Sequence, residues 1–339
     1  MRSNIGITII LLISHIISFR NFANAQQNDE KCRQIRYSSP RKGAKPYRLE
    51  HIEGQTVLAP VSQNDETGTG GICLVLFNEK DKKPIAVTTA ANDTGRFELR
   101  DVAPGAYTLI ASVEGEELHK IVLPIRLYAT KEKGSRRRGI LLHLRLKEDS
   151  RNSYSTLITN LALREELLLM VERDQSVRNE LIGKGADHPD QAMQEKMRSI
   201  DADNLARLKV ILQKYGWPGP GLVGKDGADA AFLIVQHADY DHAFQKKMLP
   251  LIRKEYLAGR QSGNNYALLL DRVLVREDKP QIYGTQLKPF DSWNGKEPVF
   301  FPIKDEANVD KRRAKLHMQP LSEYRELMKK MYFPQTQNK

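Results

Sequence analysis

The stretch FLIVQHADYDHAFQ, residues 232–245, contains the residue types with which proteins hold metals and move protons. An apolar run ends in Gln236 and His237, and two aspartates and a second histidine follow within five residues. Imidazole and carboxylate groups ligate Zn²⁺ and related cations, and they are also the usual general acids and bases of enzymes. The stretch is therefore a candidate metal site, a candidate catalytic site or the polar end of a helix.

The spacing of the two histidines argues against a metal site. His237 and His242 are five residues apart, so they diverge on a continuous helix, whereas the i, i+4 histidines of HExxH share one face. Asp239 and Asp241 are also well placed to cap a helix that starts near His242. We therefore predict no metal and no other cofactor for this stretch.

Hydrolase or transferase chemistry is the second interpretation. His237 is the candidate general base, and Arg272 is the candidate group that holds an anion. Because the chain has no G-x-S-x-G segment, the nucleophile in this interpretation is a water molecule. The candidate carboxylates that orient the imidazole are Asp239 and Asp271, and the candidate amides that polarise a carbonyl are Gln236 and Gln286.

Ligand binding is the third interpretation, because three separate segments supply hydrogen-bond donors and acceptors. A cleft of this composition suits a small ligand, a peptide, a glycan or another component of the cell envelope. The candidate ligand-binding residues are Gln236, Arg272, Gln281, Tyr283, Thr285 and Gln286. In the fourth interpretation the same residues form a buried network that fixes how the helices meet an extended segment.

The elements that position these residues are predicted to be helices. From about Leu157 the apolar residues recur at helical spacing, which predicts two long helices and then three shorter ones in GADAAFLIVQHA, from about His242, and in NYALLLDRVLV. Asp271 and Arg272 follow an apolar run of the last of these, where a buried charge needs a partner. The segment QIYGTQLKPF is predicted to be extended, and strand alternation there places the side chains of 281, 283 and 285 on one side.

Residues 70–147 have the shorter period of β-strands. Six short segments are rich in β-branched and apolar residues, and turn formers such as NDTG and APG separate them. Several strands at this spacing predict a small β-sandwich. The predicted fold class is thus a two-domain β + α protein, in which an Ig-like or transthyretin-like sandwich precedes a mainly α-helical domain with a short extended C-terminal element.

The segment DTGRFELRDVAPGAYTLIASVEG resembles the carboxypeptidase regulatory-like, transthyretin-like class of β-sandwich. A turn glycine, a phenylalanine and a Pro-Gly-x-Tyr element occur in the order typical of that class. The matching residues are Gly95, Phe97, Pro104, Gly105 and Tyr107. The resemblance implies the fold and an accessory or adhesive role, and it implies almost nothing about an activity.

A second resemblance covers the chain from roughly Leu163 to Tyr324. WPGPGLVG, AFLIVQHADYDHAFQ, LLLDRVLV, PQIYGTQ and VDKRRAKLHMQPLSEY together resemble a bacterial domain-of-unknown-function family. The signature of that family falls here on Trp217-Pro218, Gln236-His237-Ala238-Asp239, Asp271-Arg272 and Tyr283-Gly284-Thr285-Gln286. The resemblance implies membership of the family without implying a reaction.

The N-terminal residues have the parts of a secretory signal peptide. Arg2 precedes the apolar segment IGITIILLISHIISF, and Ala23-x-Ala25 closes it. We predict cleavage after Ala25 and a periplasmic or secreted protein. No later segment is apolar enough to cross a bilayer, so no membrane span is predicted after cleavage.

Cysteines and charge add two further expectations. In an oxidising compartment Cys32 and Cys73 can form a disulfide, and the alternative is two buried thiols. The formal net charge is +11, from 53 basic and 42 acidic residues. That charge favours anionic surfaces, but nucleic acid is not the expected partner of a secreted protein.

The predicted organisation of the chain has five parts. They are a signal peptide at 1–25, an N-terminal extension at 26–69, the β-sandwich at 70–147, a linker at 148–156 and the mainly helical domain at 157–333. The favoured function is a binding or cell-envelope-associated module with a polar cleft in the helical domain. The alternative is a hydrolase or transferase that uses His237 as general base on a cell-envelope or peptide substrate.

Overall fold

The computed structural model describes residues 32–59, 72–90, 95–113, 120–129, 138–145, 154–183, 191–289, 292–293 and 297–332. The predicted signal peptide at 1–25 lies outside these residues, and so do residues 148–153 of the predicted linker. In the described part of the chain, β-strands come first and helices follow, which confirms the predicted fold class.

Two β-sheets build the N-terminal half. The described strands are β1 (Tyr47–Leu49), β2 (Ile52–Ala59), β3 (Ile72–Asn78), β4 (Pro84–Thr89), β5 (Arg96–Leu99), β6 (Gly105–Val113), β7 (Lys120–Leu127), β8 (Gly139–Arg145) and β9 (Tyr154–Ile158). One sheet has the order β1-β7-β6-β3-β4, and the other has the order β5-β2-β8-β9. The pairs β1·β7 and β2·β8 are parallel, and the other pairs are antiparallel.

Alternating side chains of both sheets form the core of this half. In β5, Phe97 and Leu99 are buried while Glu98 is exposed, which is the alternation that the sequence predicts. Leu74 and Leu76 from β3, together with Leu109 from β6, are fully buried in the same cluster. The two inner faces therefore pack on each other as in a β-sandwich.

The strands extend beyond the residues 70–147 that the sequence analysis assigned to the sandwich. β1 and β2 lie in the predicted N-terminal extension, and β9 begins in the predicted linker and ends in the predicted helical domain. β2 pairs with β5 and with β8, both of which come tens of residues later in the chain. The pairing of β2 is specified by these distant partners, so its own composition gives a weak signal.

Cys32 and Cys73 form a disulfide, with a Cα–Cα distance of 5.3 Å. Cys73 belongs to β3, and both cysteines are almost fully buried. The bridge thus ties the start of the described chain to an interior strand of the first sheet.

Seven α-helices follow in the described part of the chain. They are α1 (Leu161–Gly183), α2 (Gln191–Tyr215), α3 (Pro220–His237), α4 (His242–Leu257), α5 (Gly263–Arg276), α6 (Val309–Lys315) and α7 (Leu321–Tyr332), with a 3₁₀ turn at Glu306–Asn308 before α6. Apolar residues at helical spacing are buried in each long helix, for example Leu205, Leu208 and Ile211 in α2. Pro250 lies inside α4, and the helix continues through it rather than dividing there.

The segment PGPG at 218–221 is only partly a loop, because α3 begins at Pro220. Proline is favoured in the first turn of a helix, because its missing N–H would have no helical partner there. The backbone breaks instead at Gly224, whose φ of 75° is the left-handed conformation that glycine adopts without strain. The part of α3 that leads to His237 starts after this break.

The described chain divides into two compact units. One, the sandwich unit, contains residues up to Leu168 together with Pro218–Ala228; the other, the helical unit, contains Leu169–Trp217 and the residues from Asp229 onward. The division falls within α1 and within α3, so each of these helices contributes residues to both units. None of the described helices has the length and apolar character that crossing a bilayer requires.

Candidate functional site

His237 is the last residue of α3, and its imidazole is held by a carboxylate from α1. The apolar run before it is buried, and Gln236 and His237 continue it with exposed fractions of 0% and 6%. Nδ1 of His237 lies 2.8 Å from Oδ2 of Asp174. When the carboxylate is ionised it only accepts hydrogen bonds, so Nδ1 carries the proton and Nε2 keeps its lone pair.

Arg178 completes a charged cluster with Asp174 and Asp201. It follows Asp174 by one helical turn on α1 and donates to Oδ1 of that residue. Its Nη2 also donates to both oxygens of Asp201 on α2, at 2.9 and 3.0 Å. Gln175 donates to Oδ2 of Asp174 at 2.7 Å. The oxygens of Asp174 are therefore shared between an arginine, a histidine and an amide.

The environment separates the pKa values of the three titratable groups. Burial opposes ionisation of Asp174, but its interactions with His237 and Arg178 outweigh it and lower its pKa to about 2. Burial, and after it the charge of Arg178, lowers the pKa of His237 although Asp174 attracts the proton. Burial and the negative charge of Asp174 raise the pKa of Asp201 to about 7, against the pull of Arg178. At neutral pH the imidazole is thus neutral beside an ionised carboxylate, and Asp201 is close to its titration point.

Asp174, Asp201 and His237 also have the donor atoms of a metal site. One nitrogen or oxygen from each residue lies within 4.8 Å of the others. In this structure Arg178 bonds both carboxylates and neutralises their charge, so a cation would have to displace the guanidinium. The arrangement fits an arginine-bridged acid pair better than a metal centre.

Asp239 and Arg272 form a second ion pair at the end of α3. Nη1 of Arg272, from α5, donates to Oδ1 of Asp239 at 2.5 Å and to the carbonyl oxygen of Gln236 at 2.8 Å. Burial opposes ionisation of Asp239, and the charges of Arg272 and Arg276 still lower its pKa. A positive charge against the C-terminal carbonyls of a helix also complements the helix dipole. The guanidinium therefore satisfies the end of the helix that carries His237.

Two further side chains fix the turn from α3 to α4. Nε2 of Gln245, on α4, donates to the carbonyl oxygens of Val235 and Gln236 at 3.2 and 3.0 Å. Asp241 is the N-cap of α4, and its side chain accepts from the N–H of Phe244 at 3.0 Å. These contacts satisfy backbone groups that helix ends leave without a helical partner.

Asp271 holds the loop that contains the Tyr-Gly-Thr-Gln motif. Its carboxylate accepts from the backbone N–H of Ile282, Tyr283 and Thr285 and from the hydroxyl of Thr285, at 2.7–3.1 Å. Burial is the largest influence and raises the pKa of this carboxyl, while the N–H donors oppose that shift. The side chain of Asp271 is fully buried, and its carboxylate accepts the hydrogen bonds of the loop.

The loop turns where the sequence analysis expected an extended segment. Gly284 has a φ of 70°, so the strand alternation that would place residues 281, 283 and 285 on one side is broken there. Gln281 exchanges hydrogen bonds with the backbone of Gln286 and donates to the carbonyl of Phe301. The ring of Tyr283 lies edge-on to Tyr266, with centroids 6.5 Å apart. Gln281, Thr285 and Gln286 are therefore buried parts of a folded loop.

Comparison with known families identifies the half of the chain that carries this site. Residues 161–336, just over half of the chain, match the family model described as "Family of unknown function (DUF6624)". The chain belongs to the DUF6624 family. The resemblance to a domain-of-unknown-function family over this half is thereby confirmed.

The sandwich half has its own match. Residues 52–135 are similar to the family model described as "BOS complex subunit NOMO1-like, second beta sandwich domain". This match confirms the β-sandwich resemblance of the N-terminal half. No curated protein and no solved structure matches the chain.

Within the DUF6624 half, the structure brings together only part of the predicted site. Gln236, His237, Asp239 and Arg272 lie together at the end of α3. Asp271 neighbours Arg272 in the chain but directs its carboxylate to the loop. The carboxylate that holds His237 is neither of the two that the sequence analysis proposed.

The residues that the sequence analysis missed in the DUF6624 half are Asp174, Arg178 and Asp201. A signal for the first two is present in LMVERDQSVRNEL, where an aspartate and an arginine four residues apart fall on the buried face of an amphipathic helix. Asp201 has no such local signal, because its partner Arg178 lies on another helix.

Proposed function

We propose that the DUF6624 half is a hydrolase or transferase in which His237 acts as general base. The observation that carries the proposal is the 2.8 Å contact between Nδ1 of His237 and the carboxylate of Asp174. A carboxylate that fixes one ring nitrogen leaves the other ready to take a proton, which is the arrangement of His–Asp pairs in many hydrolases. The lowered pKa of His237 supports the same role, because the base is neutral at neutral pH.

Asp201 is the general acid in this proposal. Its pKa of about 7 keeps a proton available near neutral pH. Its side chain is 13% exposed, compared with 6% for His237 and 3% for Asp174, so it is the most accessible of the three. The environment thus places the pKa of Asp201 above that of His237, which is the reverse of their usual order and suits an acid–base pair.

The proposed reaction is attack of water on an acyl carbon. Nε2 of His237 takes a proton from the water as its oxygen forms the new bond to the acyl carbon. The bond to the leaving group breaks, and the carboxyl of Asp201 gives its proton to that group. The imidazolium then returns a proton to the Asp201 carboxylate through solvent, which restores both residues.

A binding module is the second candidate function. The sandwich unit favours it, since the β-sandwich class that its sequence resembles implies an accessory or adhesive role. In this case the ligand is a peptide, a glycan or another cell-envelope component that is bound without being changed.

We also propose that the protein is periplasmic or secreted after removal of residues 1–25. The sequence pattern of the first residues supports this location. The disulfide between Cys32 and Cys73 supports it independently, because disulfides persist mainly in oxidising compartments.

The proposal is tested with p-nitrophenyl acetate and with a set of N-acetylated dipeptides, whose products are followed by mass spectrometry. We expect turnover by the parent protein and a loss of about a hundredfold or more in His237→Ala, because a general base contributes at least that factor. His317→Ala is the matched control, since His317 lies at the end of α6 outside the site. Equal turnover in His237→Ala and the parent would refute the assignment of His237 as base.

A further inference from the structure

Five buried polar atoms at the end of α3 make no hydrogen bond with any described residue. They are Nε2 and Oε1 of Gln236, Oε1 of Gln245, and Nε and Nη2 of Arg272. The exposed fractions of the three side chains are 0%, 0% and 5%. A buried polar group without a partner costs a large part of its solvation free energy, so such groups are rare in folded proteins unless water or a ligand pairs with them.

These atoms belong to one connected group of residues. Nη1 of Arg272 and Nε2 of Gln245 both donate to the carbonyl oxygen of Gln236, at 2.8 and 3.0 Å. The same two side chains both donate to Oδ1 of Asp239. These hydrogen bonds fix the positions of Gln236, Gln245 and Arg272. The five remaining polar atoms of the three side chains have no hydrogen-bond partner among the described residues.

The unpaired atoms of Arg272 form the edge with which arginine binds carboxylates. Nε–H and Nη2–H point in parallel from one side of the guanidinium, and they match the two oxygens of a carboxylate in a bidentate pair. Nη1 is already occupied by Asp239 and the helix end. The Nε–Nη2 edge of Arg272 is therefore held in position by the bonds of Nη1, and it is buried.

The charge of the surroundings also favours an anion. Arg178, Arg272 and Arg276 face two carboxylates that are ionised, those of Asp174 and Asp239. A third carboxyl, that of Asp201, is only partly ionised at neutral pH. With Asp201 protonated, the cluster carries one net positive charge, which a ligand with one negative charge balances.

We propose that the DUF6624 half binds a carboxylate that carries a neighbouring amide, as at the C-terminus of a peptide or in an N-acylated amino acid. The carboxylate accepts from Nε and Nη2 of Arg272. The amide N–H donates to Oε1 of Gln236 or Gln245, and the amide carbonyl accepts from Nε2 of Gln236. This ligand supplies acceptors for the three unpaired donor atoms and a donor for one of the two unpaired acceptors.

A carboxylate with a neighbouring amide is also the substrate class of the acid–base site, and this assignment rests on the proposed function. Arg272 donates to the carbonyl oxygen of Gln236, the residue before His237, so both side chains lie at the end of α3. Binding of the carboxylate itself does not require catalysis.

The experiment measures binding of N-acetylglycine to the full chain by calorimetry, with the neutral N-acetylglycinamide and with inorganic phosphate as comparison probes. We expect N-acetylglycine to bind and both comparison probes to bind at least about tenfold more weakly, because only the carboxylate is planar and singly charged. Failure of N-acetylglycine to bind, or equal binding of any of the three, overturns the proposal. The five atoms are then satisfied by ordered water only.

Two variants test whether the amide of Gln236 and the guanidinium of Arg272 bind the ligand. Gln236→Met keeps the size of the side chain and removes its unpaired amide, and we expect about fivefold to tenfold weaker binding. Arg272→Lys keeps the positive charge and removes the bidentate edge, and we expect weaker binding by about a hundredfold. Unchanged binding in both variants overturns the assignment.

Gln261→Met is the matched control. Gln261 is another buried glutamine of the helical unit with an unpaired Nε2, and it precedes α5, about 16 Å along the helix from Arg272. We expect N-acetylglycine to bind this variant as it binds the parent. A fall equal to that of Gln236→Met would show that the loss reflects a general loosening of the unit.

His237→Ala separates this inference from the proposed function. Binding of N-acetylglycine that persists in His237→Ala, with no turnover of any dipeptide by the parent, refutes the catalytic proposal and supports the carboxylate site. Turnover that depends on His237 without carboxylate binding supports the catalytic proposal and overturns the present inference.

Discussion

At the scale of single residues, the site depends on how one imidazole is oriented. His237 receives its tautomer and position from Asp174, and Asp174 is in turn fixed by Arg178. A neutral imidazole in this setting has Nε2 available as a base or acceptor. Asp201 is close by, and its pKa of about 7 gives the cluster a second titration in the neutral range.

The first prediction concerns the pH dependence of turnover. In the proposed mechanism, activity requires neutral His237 and protonated Asp201. The pKa of His237 is lowered from 6.5, so we expect kcat/KM to fall on the acid side only below pH 6.5. On the alkaline side we expect the fall to centre near pH 7, where Asp201 loses its proton.

Asp201→Asn tests the alkaline limb of that profile. The amide cannot titrate, so we expect the fall near pH 7 to disappear and the remaining rate to depend on His237 alone. Asp203→Asn, which changes an exposed aspartate of the same helix, should keep the parent profile. An alkaline limb that persists in Asp201→Asn assigns that titration to another group.

The second prediction concerns Asp174. Asp174→Asn keeps the shape of the side chain but lets an amide N–H face Nδ1, which favours the wrong imidazole tautomer. We expect kcat/KM to fall by about a hundredfold or more. Glu172→Gln, on the exposed side of α1, is the control and should leave kcat/KM unchanged. A small effect of Asp174→Asn on kcat/KM in a folded protein contradicts the orienting role.

At the scale of elements, the helix ends and the loop at 281–286 position the site. Arg272 and Gln245 satisfy the carbonyls at the end of α3, and Asp241 caps the start of α4. Asp271, the residue before Arg272 in α5, holds the loop. Two neighbouring charged residues of one helix thus have separate tasks, because adjacent side chains point in different directions on a helix.

The third prediction concerns the loop. Asp271→Asn replaces one accepting oxygen by an NH₂ group that faces backbone N–H groups. We expect the free energy of unfolding to fall by about 3 kcal/mol, because buried donors lose their acceptor. Urea unfolding at pH 7 measures the change.

Asp278→Asn is the control for the loop prediction. Asp278 is exposed and has a φ of 55°, a conformation that asparagine adopts readily. We expect its free energy of unfolding to stay within about 0.5 kcal/mol of the parent. A similar small change in Asp271→Asn would mean that the carboxylate does not hold the loop.

At the scale of the whole molecule, the described chain has two units with separate cores. The core of the sandwich unit contains residues such as Leu74 and Leu109, and the helical unit has a cluster that includes Leu287 and Met328. The disulfide between Cys32 and Cys73 lies in the sandwich unit, while both tryptophans of the chain, at 217 and 293, lie in the helical unit.

The fourth prediction concerns the disulfide. Removing it with Cys32→Ser and Cys73→Ser releases a loop with a sequence separation of 41. Chain entropy then predicts a loss of about 4 kcal/mol in the stability of the sandwich unit. Hydrogen exchange followed by mass spectrometry measures this loss in the strands.

Tryptophan fluorescence provides the internal comparison for the disulfide prediction. Because both tryptophans belong to the helical unit, we expect the fluorescence midpoint to move less than the protection of β3 and β6. A larger shift of the fluorescence midpoint than of strand protection contradicts a stabilisation centred on the sandwich unit.

Periodicity in the sequence was sufficient for the fold class and for most elements. Alternation in β5 and helical spacing in α2 are local patterns, so they predict element type without knowledge of the partners. It was not sufficient for β2, whose partner β8 is far away in the chain, or for β9, which follows a polar segment and pairs with β8. Periodicity was also not sufficient for the loop at 281–286. The positive φ of Gly284 interrupts the strand alternation that the sequence predicts there.

For the site, the sequence by itself determined that Gln236, His237 and Arg272 are polar groups on otherwise buried faces, and that such groups need partners. Only the tertiary structure decided which partners they have. Asp174 reaches His237 from a helix more than sixty residues earlier, and Asp271 turns away to hold a loop. The reason is physical: burial follows from local pattern, whereas the choice of hydrogen-bond partner depends on how helices distant in the chain pack together.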